Sequence, residues 1–301
     1  MIFKSIHVEG TTIGDTWFSL LWNLKEHGRK YLITKGSHEG SHRLAFDDIS
    51  GVIMYPHERP LAPIMPEASN LPAPTTDHAI EQYFAEYLMN GEIKENEDYT
   101  YALWIVGGRY KIPSTFVHNK YGNKQPLVVG DISVPNQIEW IINHFKTAGF
   151  GNEHCFLTVG YPESNFAYDI PYTNEQERKT SPCLRGLDFR IIEDVEYICK
   201  YCNTSINEEE WTLNQTCPKC DNIIIFKDYK KTTYLTTKVI YRSWDLYGGF
   251  PENMGGFTLL NEYVASELGI EPGPLTFTCK SLHCYEHHLE VLNSWTGRKN
   301  V

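Results

Sequence analysis

The 301-residue chain has no apolar run long enough to cross a bilayer, and its opening residues, MIFKSIHVEG, lack the apolar stretch of a secretory signal. Both absences argue against a membrane role, and a cytoplasmic location is expected. Runs of Lys and Arg are missing as well: 27 basic residues face 38 acidic ones, for a formal net charge of -11. A duplex-binding surface needs a basic footprint, so nucleic acid is not the expected partner. A small phosphorylated ligand stays open, because a few arginines in a pocket outweigh an acidic exterior. Eight cysteines are too few to staple a chain of this length. The glycines at 248, 249, 255 and 256 lack the spacing of a dinucleotide or P-loop signature. Internal repeats and low-complexity segments are absent.

What remains is an ordinary folding composition, 41% hydrophobic and 22% charged, with room for one large core and a small insert. Aromatic residues reach 13%, with 19 tyrosines, which suits a broad sheet or a pocket for a flat ligand. Apolar spacing predicts a strand over 2–8 and a helix over 16–24 that stops near Gly28. Strands and turns follow over 38–55, then an extended connection over 57–75 carrying five prolines. Helices are predicted over 80–89, 135–148, 259–268 and 287–292. A buried strand is predicted over 155–159, paired strands over 187–192 and 234–241, and a last strand over 275–280. The mixture predicts an α+β fold around a large mixed sheet flanked by helices.

Cys199-x2-Cys202 and Cys217-x2-Cys220 are separated by 14 residues. Two such turns bring four thiolates to one tetrahedral zinc with no open position for water, so the metal is structural. The pairs lie between the two predicted strands, as a zinc ribbon inserted over 193–232 at a hairpin tip. A metal there would fold a segment too short to bury a core.

Pro182-Cys183 after Ser181, Arg242-Ser243-Trp244-Asp245, Asn253 eight residues further on, and His283-Cys284-Tyr285 stand in order along the chain. Any one alone is a weak signal. Together they resemble the thymidylate synthase family, which includes pyrimidine nucleotide hydroxymethylases, and most closely its shorter branch. The resemblance extends over most of the chain and is tight from about Cys183 onward. It implies a thymidylate synthase-like catalytic domain over 1–301, a homodimer, and one-carbon transfer from 5,10-methylenetetrahydrofolate to C5 of a pyrimidine nucleoside monophosphate. The product would be 5-hydroxymethyl or 5-methyl. A non-catalytic nucleotide-binding or regulatory protein on a degenerate fold of this kind is the alternative.

The resemblance also implies roles. Cys183 would add to C6 and make C5 nucleophilic. Arg242 and Ser243 would hold phosphate, with Arg43 as an N-terminal phosphate ligand. Asn253 would pair with the ring edge and favour uracil, and His283 and Tyr285 would reach the sugar hydroxyl. Asp245 would orient water or the pterin. Glu81 and Glu86 are candidates for the catalytic glutamate, and Glu81, at the start of its helix, fits the shorter branch. Tyr99-Thr100-Tyr101-Ala102 resembles the family's Tyr-Gly stretch.

Departures are equally specific. Asn152-Glu153-His154 stands where the family has two adjacent arginines that reach into the partner subunit, so His154 or Arg185 is expected to compensate. Leu184 replaces the histidine after the nucleophile. Only 16 residues follow Tyr285, too few for the long closing tail, which favours water over hydride addition and a hydroxymethyl product.

Overall fold

The structure, a computed structural model, describes residues 3–34, 38–66, 73–90, 100–111, 115–118, 122–127, 131–162, 182–207, 216–223 and 226–296. Ser181 lies outside them. Strand β1 (Ser5–Gly10) leads into helix α1 (Ile13–His27), whose first turn is capped by the Thr12 side chain accepting from the Asp15 amide. Trp17, Leu20, Leu21 and Leu24 form its buried stripe. Strands β2 (Arg29–Leu32), β3 (His42–Ala45) and β4 (Asp48–Ile53) follow, then the extended proline-containing connection.

Helix α2 (Asp77–Gln82) starts three residues before the predicted 80, where Thr76 caps it, and then widens into a π-helical turn over Tyr83–Leu88. The wider i→i+5 spacing brings Tyr83, Tyr87 and Leu88 to one side, which ordinary helical spacing does not. Helix α3 (Ala102–Ile105), strands β5 (Gly108–Lys111), β6 (Thr115–His118), β7 (Lys124–Leu127) and β8 (Asp131–Val134), helix α4 (Gln137–Ala148) and strand β9 (Phe156–Thr158) complete the first half.

The second half is built on two 16-residue strands, β10 (Leu184–Cys199) and β12 (Phe226–Tyr241), with the short β11 (Ser205–Asn207) between them. Both exceed the predicted strands because they keep pairing antiparallel from Leu184–Tyr241 to Cys199–Phe226, past the point where alternation fades. The ladder therefore crosses both expected ribbon boundaries, 193 and 232, without interruption. Next come β13 (Trp244–Asp245), helix α5 (Gly249–Leu268), β14 (Glu271–Cys279), β15 (Leu282–Tyr285) and helix α6 (Leu289–Thr296). Helix α5 begins ten residues before the predicted 259. Its glycines and Pro251 read as breakers, yet Pro251 sits in the first turn, where a missing amide hydrogen costs little. Gly255 and Gly256 are where α2 and the π-turn come close: a Cβ on them would stand 2.7 Å from Ile80 and 2.5 Å from Tyr83.

The central sheet runs β1-β4-β14-β12-β10-β11, with β9 also on β10. Parallel β1–β4 and β12–β14 pairs are mixed with antiparallel β14–β4 and β10–β12 pairs. Phe277 and Leu275 of β14, Leu235 and Val239 of β12, and Leu187 and Phe189 of β10 meet Phe250, Phe257 and Leu260 of α5 and Phe145 of α4 in one core. A second sheet, β13-β15-β3-β2, stands beside it. No helix among the described residues is long and apolar enough to cross a membrane.

Candidate functional site

Cys183 is half-buried and stands one residue before β10, whose first residues are pinned to the ends of β9 and β12. Arg242 closes over this turn. Its backbone amide donates to the Cys183 carbonyl at 2.9 Å and its Nε donates to the Pro182 carbonyl at 3.2 Å. Arg185, two residues beyond the thiol, lies close enough to Arg242 to be repelled by it. Burial first, then the Arg242 charge, pulls its pKa below the usual guanidinium value, while Cys183 raises it. Its Nη1 is buried without a hydrogen-bond partner. Two guanidiniums beside a thiol favour the thiolate and call for an anion.

That anion has a place. A cavity of about 490 Å³ is lined by Arg29, Arg43, Arg242 and Lys280 and by one carboxylate, Asp47. Asp47 is taken by Arg29 at 2.9 Å and by the Tyr31 hydroxyl at 3.1 Å. Four cations against one paired carboxylate make a positive pocket in a chain of charge -11. The Arg43 Nε is buried and unpartnered. Ser243, half-buried, follows Arg242.

On another side of Cys183, buried hydroxyls form a chain. The Leu184 amide donates to the Tyr101 hydroxyl at 3.3 Å, Tyr101 and Tyr241 share a hydrogen bond, and the Tyr241 hydroxyl donates to Asn253 Oδ1 at 3.2 Å. The Trp244 indole donates to the same oxygen at 2.8 Å. Burial holds both tyrosine pKa values well above the usual, so both hydroxyls stay protonated. Tyr87 packs edge-on against Tyr101 and stacks on Tyr83.

His283 of β15 is 3% exposed. Its Nδ1 is 3.0 Å from the Ser281 carbonyl, which can only accept, so Nδ1 carries the hydrogen. Burial lowers its pKa, so the ring is neutral and Nε2 is an acceptor. That Nε2 is buried with no partner, a vacancy that a ligand hydroxyl would fill. Tyr285 lies edge-on to His283, with ring centroids 4.9 Å apart.

Two expected acids sit differently. Asp245 Oδ2 accepts from the Gly248 and Gly249 amides at 3.0 Å each, and Oδ1 from the Tyr247 amide at 3.3 Å. It therefore fastens the start of α5, and only Oδ1 keeps capacity for a ligand. Glu81 is exposed on α2, and so is Glu86 in the π-turn, while their neighbours Ile80 and Leu88 are buried. His154 and Glu153 are exposed too, and Glu153 lies 3.9 Å from Arg190.

Far along the β10–β12 hairpin, Cys199, Cys202, Cys217 and Cys220 have sulfurs all within 4.8 Å of one another. The printed pairs are 3.9 Å for Cys199–Cys220 and 3.5 Å for Cys202–Cys217. Zn–S bonds of about 2.3 Å in a tetrahedron put sulfurs about 3.8 Å apart, so the four thiols fit zinc. The two turns match. Asn203 donates to the Cys199 carbonyl as Asp221 does to that of Cys217, and both residues adopt left-handed backbone, with φ of 57° and 54°. Ile206 is buried against the cluster.

Residue-type reading missed Lys280, Tyr241, Trp244 and the Glu252 carboxyl, which accepts from Thr75 Oγ1 at 3.1 Å. The motif Tyr241–Asp245 contained two of them. Lys280 aligns with no motif, and only the pairing of β12 with β14, which sets Tyr241 opposite Cys279, brings it beside Arg242.

The fold and site define an α+β protein with a thiol beside a cationic ligand pocket. Comparison with known proteins gives this class a family: residues 203–301 match the family described as Thymidylate synthase. Along 95% of its length the chain is 24% identical to a Methanosarcina mazei protein named "Putative thymidylate synthase", covering 93% of that protein. A Methanococcoides burtonii protein of the same description is 31% identical over 40% of this chain, a stretch that spans only 56% of the relative. A Mycoplasma pneumoniae "Thymidylate synthase" is 34% identical over 27% of the chain and 29% of its own length. The chain is a relative of the thymidylate synthases along most of its length and carries a domain of that family.

Proposed function

We propose that the protein transfers a one-carbon unit from 5,10-methylenetetrahydrofolate to C5 of a pyrimidine nucleoside monophosphate, giving a 5-hydroxymethyl or 5-methyl product, as a cytoplasmic homodimer. The observation that carries this reading is the half-buried Cys183 held by Arg242 at the edge of a cationic pocket. Arg242, Arg43 and Lys280 hold the phosphate, with Arg185 supplying charge in place of the paired arginines that Asn152-Glu153-His154 lacks. The unpartnered His283 Nε2 accepts from a sugar hydroxyl. Asn253 faces the ring edge.

The Cys183 thiolate adds to C6, and the electron pair moves to C5, which becomes the nucleophile. C5 then gives up its hydrogen as a proton, and the thiolate leaves C6. The folate, when bound, supplies the carbon, and Asp245 Oδ1 has capacity for one of its ring N–H groups. One observation favours a non-catalytic nucleotide-binding protein instead: Glu81 is exposed, and Asp245 is largely spent on backbone amides.

The test is product mass after incubation with the folate and each of dUMP, UMP, dCMP and CMP. A gain of CH2 or CH2O is expected from one of them and is expected to vanish in Cys183→Ala. Nucleotide binding with no gain and no exchange of the C5 hydrogen would establish the non-catalytic reading.

A further inference from the structure

The hydrogen-bond chain beside Cys183 has a direction. An indole N–H only donates, so the Trp244 bond of 2.8 Å fixes which end of the Asn253 amide is oxygen; a flipped amide would set NH2 against N–H. With that oxygen as acceptor, the Tyr241 hydroxyl, 3.2 Å away, must give its hydrogen to it. Tyr101 must then give its hydrogen to Tyr241, and its own oxygen receives the Leu184 amide. Every hydrogen points from the Cys183 turn toward Asn253. The two lone pairs of the amide oxygen are both in use, and only the NH2 group is left to offer a ligand.

Trp244 and Tyr241 hold this arrangement rigidly. They are 2% and 4% exposed, and their rings stack at 4.0 Å and 8°. On the reading that Asn253 faces the pyrimidine, we propose that Trp244 is a positioning residue that presents Asn253 as a donor only. Asn253 therefore does not read uracil in preference to cytosine. Uracil offers an acceptor at O4 but also a donor at N3–H, and cytosine an acceptor at N3 but also a donor at its 4-amino group. A donor-only amide satisfies one atom of either ring and leaves one donor of either unmet. This revises the expectation that an asparagine here selects uracil.

The experiment measures binding of dUMP against dCMP, and of UMP against CMP, by calorimetry to the full chain, Trp244→Phe and Tyr241→Phe. Phenylalanine keeps the stack at 244 and removes only the indole donor. The unsubstituted protein is expected to bind both bases within about threefold, and each variant, by freeing a lone pair for N3–H, to shift toward uracil by about fivefold. A preference above about thirtyfold for either base in the unsubstituted protein, or an unchanged ratio in both variants, overturns the proposal and leaves the one-carbon reading standing. Should Trp244→Phe not fold, Tyr241→Phe decides alone. Failure of all four nucleotides to bind overturns both.

Discussion

Gly256→Ala tests how the tyrosines beside Cys183 are held. A Cβ at 256 would stand 2.5 and 2.7 Å from the Tyr83 ring carbons and 3.2 Å from Leu88 Cδ1. Ordinary carbon contacts begin near about 3.5 Å, so the Tyr83 ring must retreat by about 1 Å. Overpacking of this kind costs about 1–3 kcal/mol. Alanine in a helix interior returns about 1 kcal/mol over glycine, leaving a net destabilisation of about 1 kcal/mol. The catalytic effect should be larger than the stability effect. Tyr83 stacks on Tyr87 at 5.3 Å, and Tyr87 abuts Tyr101 at 5.2 Å, so the retreat is passed to the hydroxyl that receives the Leu184 amide. Misplacement by about 1 Å near reacting atoms can cost about 100-fold in rate. Urea melts measure the first quantity, and turnover at saturating nucleotide the second. Gly151→Ala, with nothing within 4 Å of the added carbon, is the control. A Gly256→Ala protein that is about 1 kcal/mol more stable with unchanged turnover would refute the reasoning, since helix propensity would then be the only effect felt.

Arg185→Ala is expected to weaken binding of a nucleoside monophosphate by about tenfold or more and to leave the nucleoside unaffected, as calorimetry with the pair of ligands would read. Chelation, or Cys217→Ser, should release about one zinc per chain and open the 199–223 segment to proteolysis, while the main thermal transition hardly moves; a shift of the whole transition would join the ribbon to the main core. Glu252 has its carboxyl pKa raised above 4.5 by burial, offset in part by the Thr75 hydroxyl. The native state thus holds this proton more tightly than the unfolded chain, and stability falls as pH rises from about 4.5 through the raised native value. Glu252→Gln should flatten that part of a pH–stability curve, and an unaltered slope would remove Glu252 as its source.

The sequence exposed those parts of this molecule whose physics is local. The zinc turns are legible because four thiols, two short spacings and a left-handed residue after each pair make a unit without help from elsewhere. Helix α1 and the core face of α4 are legible because one side of each must be apolar to meet the sheet. Helix α5 was half hidden because its glycines serve neighbours: Gly255 and Gly256 are small so that Ile80 and Tyr83 can approach, and no window along the chain contains both partners. The π-turn was hidden for the same reason, since its wider winding answers to Tyr101 and α5 rather than to its own composition. The site divides along the same line. Motif spacing found Cys183, Arg242 and Asn253, but it assigned the Asn253 amide both hydrogen-bonding faces. Only the placement of Trp244 and Tyr241 against it shows that the acceptor is already in use. A motif gives the groups a site owns, and the structure shows which of their hydrogens and lone pairs are still available to a ligand. For an amide reader that remainder, rather than the residue's name, sets the chemistry it can recognise.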